Sequence, residues 1–398
     1  YHGRVDPALL AEVITHDGPL EVRRGVGDLG DDAWPGSPDE ANTTLVGPTL
    51  TLMAPGFKPP RTARTTIGIT HSIDARTALH LSGVYRRTEF LPRRTDLNLV
   101  PSAASVDPYG RPIYGELVQL GGALAAEPAT NRRFPDYDVV TALNADGESS
   151  YWGATVRLER RATDALRFVA DYTYSRTTDD WFGAGTGVPA GMIPPELDGD
   201  DDAGGDDWTE GRSDFDIPHR ATAGVALRLP VGSAGLRLAA RYRYSSGRPF
   251  TPGFRYGVDA NGDGVFGNDP AFVDDAIDGM EPLLERWDCL RTSVGGFADR
   301  NACRGPAIQT LDLTLGFRLP SVGDVETEIF AAGLGLIESD GIARVDEALY
   351  RIDPEGAMTR DAAAGETTLP LVPNPRFGRP LLRRATGTIV RLGLRMAY

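Results

Sequence analysis

The chain of 398 residues is acidic, with 41 Lys and Arg against 56 Asp and Glu and a formal net charge of −15, so no nucleic-acid partner is expected. Its 47 Gly and 30 Pro exclude a mainly helical fold and, because they follow no period, a collagen-like one. No apolar run approaches about 18 residues, which excludes a membrane-spanning helix but not a membrane-spanning barrel, whose strands need only about ten alternating residues.

Nine segments alternate apolar and polar residues with a period of two, which predicts nine β-strands. The positions of the mainly apolar face, in chain order, are Ile67, Ile69 and Ile73; Leu79, Leu81 and Tyr85; Trp152, Ala154, Val156 and Leu158; Leu166, Phe168, Ala170, Tyr172 and Tyr174; Ala221, Ala223, Val225, Leu227 and Leu229; Leu236, Leu238, Ala240, Tyr242 and Tyr244; Leu311, Leu313, Leu315 and Phe317; Val325, Thr327, Ile329 and Ala331; and Val390, Leu392, Leu394, Met396 and Tyr398. The opposite positions are mainly polar or charged. The pattern fits a soluble sandwich as well as a barrel, so by itself it decides only the all-β class.

Short and long connections alternate between these segments. The short turns lie between Ile73 and Thr77, Arg160 and Ala165, Leu229 and Leu236, and Leu319 and Val325. The long polar segments run from Arg87 to Ser149, Arg176 to Pro218, Ser246 to Pro306, and Ile337 to Thr386. Because unstructured loops beyond about 15 residues are uncommon in compact soluble domains, this alternation favours an antiparallel transmembrane β-barrel with short periplasmic turns and long extracellular loops.

The ends of the predicted strands agree with a barrel in the outer membrane. The tyrosines of a predicted interfacial girdle lie where strands approach long connections, at Tyr172, Tyr174, Tyr242 and Tyr244. The last segment carries Leu394, Met396 and Tyr398 at alternate positions, an ending that resembles the signal read by the barrel-assembly machinery in exported barrels. The sequence therefore predicts that machinery, and membrane lipid, as partners.

Strand parity predicts that the chain is part of a larger barrel. If Tyr398 is periplasmic, counting back gives nine strands that begin near Thr65, whereas bacterial single-chain barrels have even strand numbers. Residues 1–62 are expected to form an N-terminal extracellular loop region, with a short helix over Ala8 to Ile14 as one option, and residues 63–398 the C-terminal part of the barrel.

Seven stretches of this sequence resemble, in order, the C-terminal barrel half of TonB-dependent outer-membrane receptors of the Oar-like type. They are RTDLN (94–98), YTYSRTTDD (172–180), SDFDIPHR (213–220), SGRPFTP (246–252), DANGDGVFGND (259–269), RNACRGP (300–306) and NPRFGRP (374–380). The resemblance implies a barrel of 22 strands, plugged by an N-terminal domain and energised by the TonB, ExbB and ExbD system, that moves a large solute. Plug and TonB-interaction box have no counterpart in this sequence, so TonB is expected to act through a missing N-terminal part.

One stretch suggests a metal site. Asp259, Asn261 and Asp263, followed by Gly264, match the start of an EF-hand-like calcium loop, in which alternating oxygen side chains converge on a hard cation. The twelfth position holds Pro270 instead of the usual Glu, although Asp269 and its neighbour Asn268 carry oxygens. The alternatives are a structural calcium ion that braces an extracellular loop and a solvated Asp/Asn/Gly turn.

Other features point to structural roles. The only cysteines, Cys289 and Cys303, lie in one polar segment and predict a loop disulfide, hence an oxidising compartment; two unpaired thiols are the alternative. An acidic run from Glu196 to Asp207 predicts a solvated loop, with cation screening or divalent ions that bridge lipopolysaccharide as the functional alternative. The arginines of the polar strand faces are expected to pair with the plug or with wall carboxylates, or alternatively to guide an anionic solute: Arg157, Arg167, Arg228, Arg237, Arg241, Arg243, Arg391 and Arg395.

Nothing in the sequence predicts an enzyme or a cofactor. The histidines His2, His16, His71, His80 and His219 are scattered, and neither HExxH nor GxSxG occurs. The expected function is uptake or binding of a bulky, unknown extracellular ligand at the outer membrane of a Gram-negative bacterium. The alternatives are an outer-membrane barrel that acts as an adhesin or secretion-associated component and, more remotely, a secreted soluble β-protein.

Overall fold

A single large antiparallel sheet dominates the computed structural model, which describes residues 48–127, 130–180, 211–255, 257–321, 324–338, 342–383 and 387–397. Nine strands form its continuous path, each paired with its neighbour in sequence. They are β1 (Arg61–Asp74), β2 (Thr77–Asp96), β3 (Val140–Arg161), β4 (Leu166–Asp179), β5 (His219–Val231), β6 (Ala234–Ser245), β7 (Ile308–Arg318), β8 (Glu326–Glu338) and β9 (Ile389–Ala397). The predicted all-β class, the nine strands and their antiparallel order are confirmed.

The register places the apolar positions of adjacent strands side by side. Leu227 of β5, for example, lies opposite Leu238 of β6, which in turn faces Leu315 of β7. Two short strands extend the sheet off this path: Leu50–Met53 runs parallel to the start of β3, and Gly211–Arg212 pairs with the end of β4. Within the described residues no ladder joins β1 to β9, so the sheet is open.

The hairpin of β2 and β3 is longer than the sequence pattern predicts. These strands have 20 and 22 residues, and their ladder extends to the pair Asp96 and Thr141. The prediction that a loop runs from Arg87 to Ser149 is therefore wrong at both ends. The ladder passes an irregularity around Phe90, whose φ of 64° breaks the period of two on which the prediction relied. Since a membrane span needs about 9–11 residues, this hairpin extends well beyond a bilayer.

The strands carry their apolar side chains on an exposed face. Leu392 of β9 is 80% exposed, and Ile67 and Ile69 of β1 are exposed as well. A soluble sheet would cover such a face with a second layer, whereas lipid solvates it in an outer-membrane barrel. No helix among the described residues is long and apolar enough to cross a membrane.

Leu392→Glu is expected to impair membrane insertion. A carboxylate on the lipid-facing side costs less than the roughly 2–4 kcal/mol of Arg or Lys at mid-bilayer, and we expect about 1–2 kcal/mol. The measurement is the fraction of protein that shows heat-modifiable migration after assembly into vesicles. Arg391→Glu is the matched control, since it introduces the same residue on the opposite face of the same strand. Equal loss in both variants would contradict this assignment of the faces.

The hydrophobic core lies in the long connections and not in the sheet of β1 to β9, which we call the wall. We call the connections 97–139, 246–307 and 339–388 together the loop domain. Their buried apolar side chains form one cluster, to which all three connections contribute; it includes Ile113, Leu117, Leu124, Phe250, Phe254, Val258, Met280, Leu290, Leu349, Tyr350 and Phe377. The prediction of merely polar loops is therefore incomplete, because three loops that are each mostly polar combine their few apolar residues.

Short strands and two helices build the loop domain. The helices are α1 (Glu281–Arg286) and α2 (Asp288–Arg291). The strands are Pro101–Val106, Pro112–Tyr114, Leu117–Leu120, Ala123–Ala126, Pro249–Phe250, Gly253–Phe254, Cys303–Arg304, Ile342–Val345, Ala348–Ile352, Thr359–Asp361, Glu366–Thr368, Leu371–Pro373 and Pro380–Arg383. Gly253–Phe254 pairs with Ala348–Ile352, and Glu366–Thr368 pairs with Pro101–Val106, so that hydrogen bonds cross between connections.

Candidate functional site

Three of the singled-out stretches converge where the loop domain meets the wall. Arg300 is buried and donates hydrogen bonds to the carboxylate of Asp179 (2.5 Å) and to its carbonyl oxygen (2.6 Å) at the end of β4. Asn301 donates to the carboxylate of Asp214 at 2.7 Å, and Arg304 forms an ion pair with Asp216. We call these six residues the latch. It explains why aspartates and arginines recur in stretches far apart in the chain: they are partners.

A disulfide reinforces the same region. The structure joins Cys289 at α2 to Cys303, with Cα atoms 5.3 Å apart. Cys303 is buried and lies in the short strand that pairs with Pro249–Phe250, directly before the latch residue Arg304. The bond therefore ties the helical part of this connection to the latch.

The stretch from Asp259 to Asp269 is a buried loop, not a solvated turn. The Asp259 carboxylate accepts backbone hydrogen bonds from Gly262 (2.7 Å) and Gly264 (2.8 Å), and Asp269 accepts one from Ala260 at 3.0 Å. Burial raises the pKa of Asp263 to about 6 and that of Asp269 to about 7. Burial also raises the pKa of Asp259, and repulsion by Asp263 and Asp269 raises it further. The predicted ligand positions Asp259, Asn261, Asp263 and Asp269 thus share one buried region.

These carboxylates alone do not form a metal site. In the part of the chain that the structure describes, no group of three or more His, Cys, Asp or Glu side chains is placed to hold a metal ion. Any cation here would need amide or main-chain oxygens as well.

An aromatic cavity lies nearby in the loop domain, and sequence reasoning missed it. It has a volume of about 190 Å³ and is lined by Tyr109, Phe272 and Arg111, among others. The Tyr109 ring stacks on Phe272 with centroids 4.1 Å apart, and its hydroxyl donates to Asp274 at 2.9 Å. Burial and this hydrogen bond raise the pKa of Tyr109. No local sequence pattern predicts the cavity, because its lining residues come from three connections.

The polar face of the wall carries the predicted arginines, and several pair with wall carboxylates. The ion pairs are Arg157 with Glu159 (2.7 Å), Arg237 with Glu328 (3.6 Å), Arg243 with Asp312 (3.0 Å) and Arg395 with Glu328 (3.3 Å). Arg228 lies directly opposite Arg237 in the ladder, and two like charges in that position repel. This face is therefore only partly neutralised by the described residues.

Some predicted features lie outside the described residues. They are the acidic run from Glu196 to Asp207, the possible helix from Ala8 to Ile14, and the terminal Tyr398. The other two residues of the C-terminal pattern, Leu394 and Met396, lie exposed on the apolar face of β9. Of the histidines, His219 accepts or donates a hydrogen bond at 2.7 Å with Tyr172, and His80 one at 3.0 Å with Thr70.

Glu347→Gln is expected to stabilise the loop domain in a pH-dependent way. Burial raises the pKa of Glu347 from 4.5 to about 7, Asp214 and Asp346 raise it further, and Arg344 opposes them. Above pH 7 the ionised carboxylate destabilises the folded state, while below pH 4.5 it is protonated in both states. Because 32% of the Glu347 side chain is exposed, we expect the variant's free energy of unfolding to rise by only about 1 kcal/mol at pH 8 and not at all at pH 4.

The check on Glu347→Gln is the urea midpoint of loop-domain unfolding at both pH values. Glu355→Gln, at an exposed position of the same connection, is the control and should leave the midpoint unchanged. A gain at pH 4 as large as that at pH 8 would show that the carboxylate charge is not the cause.

A family profile described as outer membrane beta barrel domain matches residues 18–325. The outer membrane transporter YddB from Escherichia coli is similar at 11% identity over 76% of this chain and 32% of that chain, with a TM-score of 0.40. The FrpB iron transporter from Neisseria meningitidis (F3-3 variant) is similar at 11% identity over 71% and 28%, with a TM-score of 0.33. The chain thus spans about a third of the length of these structures, and it matches no curated protein.

Proposed function

Because this chain belongs to the outer membrane beta barrel domain family and lies in the outer membrane of a Gram-negative bacterium, we propose that it is the C-terminal part of a TonB-dependent receptor. The receptor takes up or binds a bulky extracellular ligand, and this chain performs no catalysis. The Oar-like assignment rests on the seven stretches quoted above.

The observation that carries the proposal is the loop domain. Its three connections leave the same end of the sheet, because the strands that they join alternate in direction. They share one hydrophobic core and hydrogen-bonded strands, and are fixed to the wall by the latch. A folded external surface of this kind suits recognition of a large ligand, since preorganised contacts lose little entropy on binding.

The two faces of the wall have separate roles in this proposal. The apolar face contacts lipid, and the β9 face that includes Leu394 and Met396 is presented to the barrel-assembly machinery. The polar face with its incompletely neutralised arginines lines the interior, where Arg228 and its neighbours contact the plug of the complete receptor. In this role the arginines stabilise the contact between barrel and plug and do not select a solute.

The test uses the full-length gene product. The gene upstream of Tyr1 should encode a plug and a TonB-interaction box, and the purified protein in detergent should bind the C-terminal domain of TonB. Deletion of the box should abolish that binding and leave heat-modifiable migration intact. A full-length protein that lacks both plug and TonB binding would overturn the proposal and favour an adhesin or secretion-associated barrel.

A further inference from the structure

The buried loop from Asp259 to Asp269 contains more oxygen atoms than it can satisfy internally. Asp259, Asn261, Asp263, Asn268 and Asp269 are between 0% and 4% exposed. A solvated Asp/Asn/Gly turn would leave these side chains in water, so that alternative of the sequence interpretation is wrong. Burial of several carboxylates is costly unless a cation compensates them.

Two of the buried oxygens accept no hydrogen bond. They are Oδ1 of Asn268 and Oδ1 of Asp269. The Asn268 amide nitrogen donates to Asp263 Oδ2 at 2.6 Å, which holds this amide group against the Asp263 carboxylate. The Asp269 carboxylate is held at the start of the loop, since its other oxygen accepts from the Ala260 N–H. Both oxygens therefore lie within the loop and still have lone pairs available.

The nearest positive charges compensate the loop only in part. The Arg111 guanidinium is shared between Asp107 (3.4 Å) and Asp269 (3.6 Å), so its single charge meets two carboxylates. Arg132, whose charge lowers the pKa of Asp263, forms its ion pairs with Asp96 (3.0 Å) and Asp138 (3.6 Å). Among the described residues, no ion pair reaches Asp259 or Asp263. The loop retains an excess of negative charge.

The available donors define the class of ion. Every candidate donor is an oxygen of a carboxylate or amide, and neither His nor Cys contributes, which favours a hard cation over zinc or copper. Mixed carboxylate, amide and carbonyl donors are typical of Ca²⁺, whereas Mg²⁺ keeps several waters and needs stricter octahedral geometry. Because no three acidic side chains of the described residues are placed to hold one ion, at most two carboxylates can bind it. The Asp259 carboxylate already accepts hydrogen bonds from the N–H groups of Gly262, Asp263 and Gly264, which leaves Asp263 and Asp269 as the carboxylate ligands.

We propose that the loop from Asp259 to Asp269 binds one calcium ion through the carboxylates of Asp263 and Asp269 and the amide oxygens of Asn261 and Asn268. The site lies where two connections meet. The N–H of Tyr114 donates to the Asn261 carbonyl at 2.6 Å, and the Asn131 amide donates to the Gly262 carbonyl. Gly262 has a φ of 77°, and a Cβ there would collide with the Tyr114 carbonyl. The ion therefore fixes the first connection of the loop domain to the second.

The test is titration of the full-length protein, dialysed against EGTA in detergent, with CaCl₂ followed by calorimetry. One site with a dissociation constant of about 10⁻⁴–10⁻³ M is expected, the range of extracellular calcium modules. Asp263→Asn and Asn268→Ala should each weaken binding at least tenfold. Asp275→Asn, at an exposed acidic residue of the same connection, is the matched control and should leave the constant unchanged.

Hydrogen exchange distinguishes this site from ions bound loosely to surface carboxylates. Calcium should slow exchange at least tenfold for the amides of residues 259–264 and also for those of residues 111–114 in the first connection. Absence of heat at 10 mM CaCl₂, or binding that Asp263→Asn and Asn268→Ala leave unchanged, would overturn the proposal. So would protection confined to the acidic loop alone. None of these outcomes affects the proposed dependence on TonB.

Discussion

Replacing Arg300 by Met is expected to lower the free energy of unfolding of the loop domain by about 3–5 kcal/mol. Arg300 donates two hydrogen bonds to Asp179, and its guanidinium lies 3.8 Å from Asp214. Without it the buried Asp179 carboxylate loses its cation, and because burial already raises its pKa, it must either stay charged without a partner or take up a proton. The cost arises from leaving this buried group without its partner more than from the lost attraction.

Hydrogen exchange of the full-length protein in detergent measures this effect. Since each 1.4 kcal/mol is a factor of ten, the amides of residues 246–307 should exchange roughly a hundred to several thousand times faster in the variant. The second variant, Arg300→Met with Asp179→Asn, removes both charges and should recover most of the loss.

Arg291→Met supplies the matched control in the same connection. Its partner Asp288 is 86% exposed, and exposed pairs contribute only about 0–1 kcal/mol, so exchange should change little. If Arg300→Met has no larger effect than Arg291→Met, the latch does not hold the loop domain to the wall.

Removing the disulfide by replacing Cys289 and Cys303 with Ala is expected to cost about 3 kcal/mol. The bond closes a loop with a sequence separation of 14, and the chain-entropy relation gives about 3 kcal/mol for a loop of this size. The loss should concentrate in the second connection, because Cys303 lies beside the latch and Cys289 lies in α2. Exchange in residues 280–306 should be roughly a hundredfold faster, with little change in β1 or β9.

Reductant provides the internal control for this experiment. Reduced wild-type protein should approach the double-Ala variant, and reductant should not change that variant further. Equal protection of residues 280–306 in oxidised and reduced wild-type protein would contradict a stabilising role of the bond.

The wall was predictable because its information is local. Alternation at Leu236, Leu238 and Ala240 can be read from one short window, and short turns then fix the neighbour of each strand. The prediction was wrong at the β2–β3 hairpin, where the irregularity at Phe90 interrupts the period while the hydrogen-bonded ladder continues.

The loop domain and the latch were not predictable in the same way. Leu124 and Val258 meet across more than a hundred residues, and neither belongs to a periodic pattern. The stretches that hold Asp216 and Arg304 each contribute to the family resemblance, yet nothing in a single sequence indicates that these two residues pair. The DxNxDG motif was recognisable, but the burial of its side chains depends on packing against the connection that carries Tyr114.

The shared core of the three connections restricts how this barrel can be altered. A chimera that grafts one connection from a related barrel would import part of a hydrophobic cluster whose other parts stay behind, leaving Leu349 or Phe254 facing a foreign surface. If the chain is part of a receptor as proposed, ligand preference is expected to change when the whole loop domain is exchanged. Antibodies raised against a linear peptide from one connection should recognise the intact loop domain poorly.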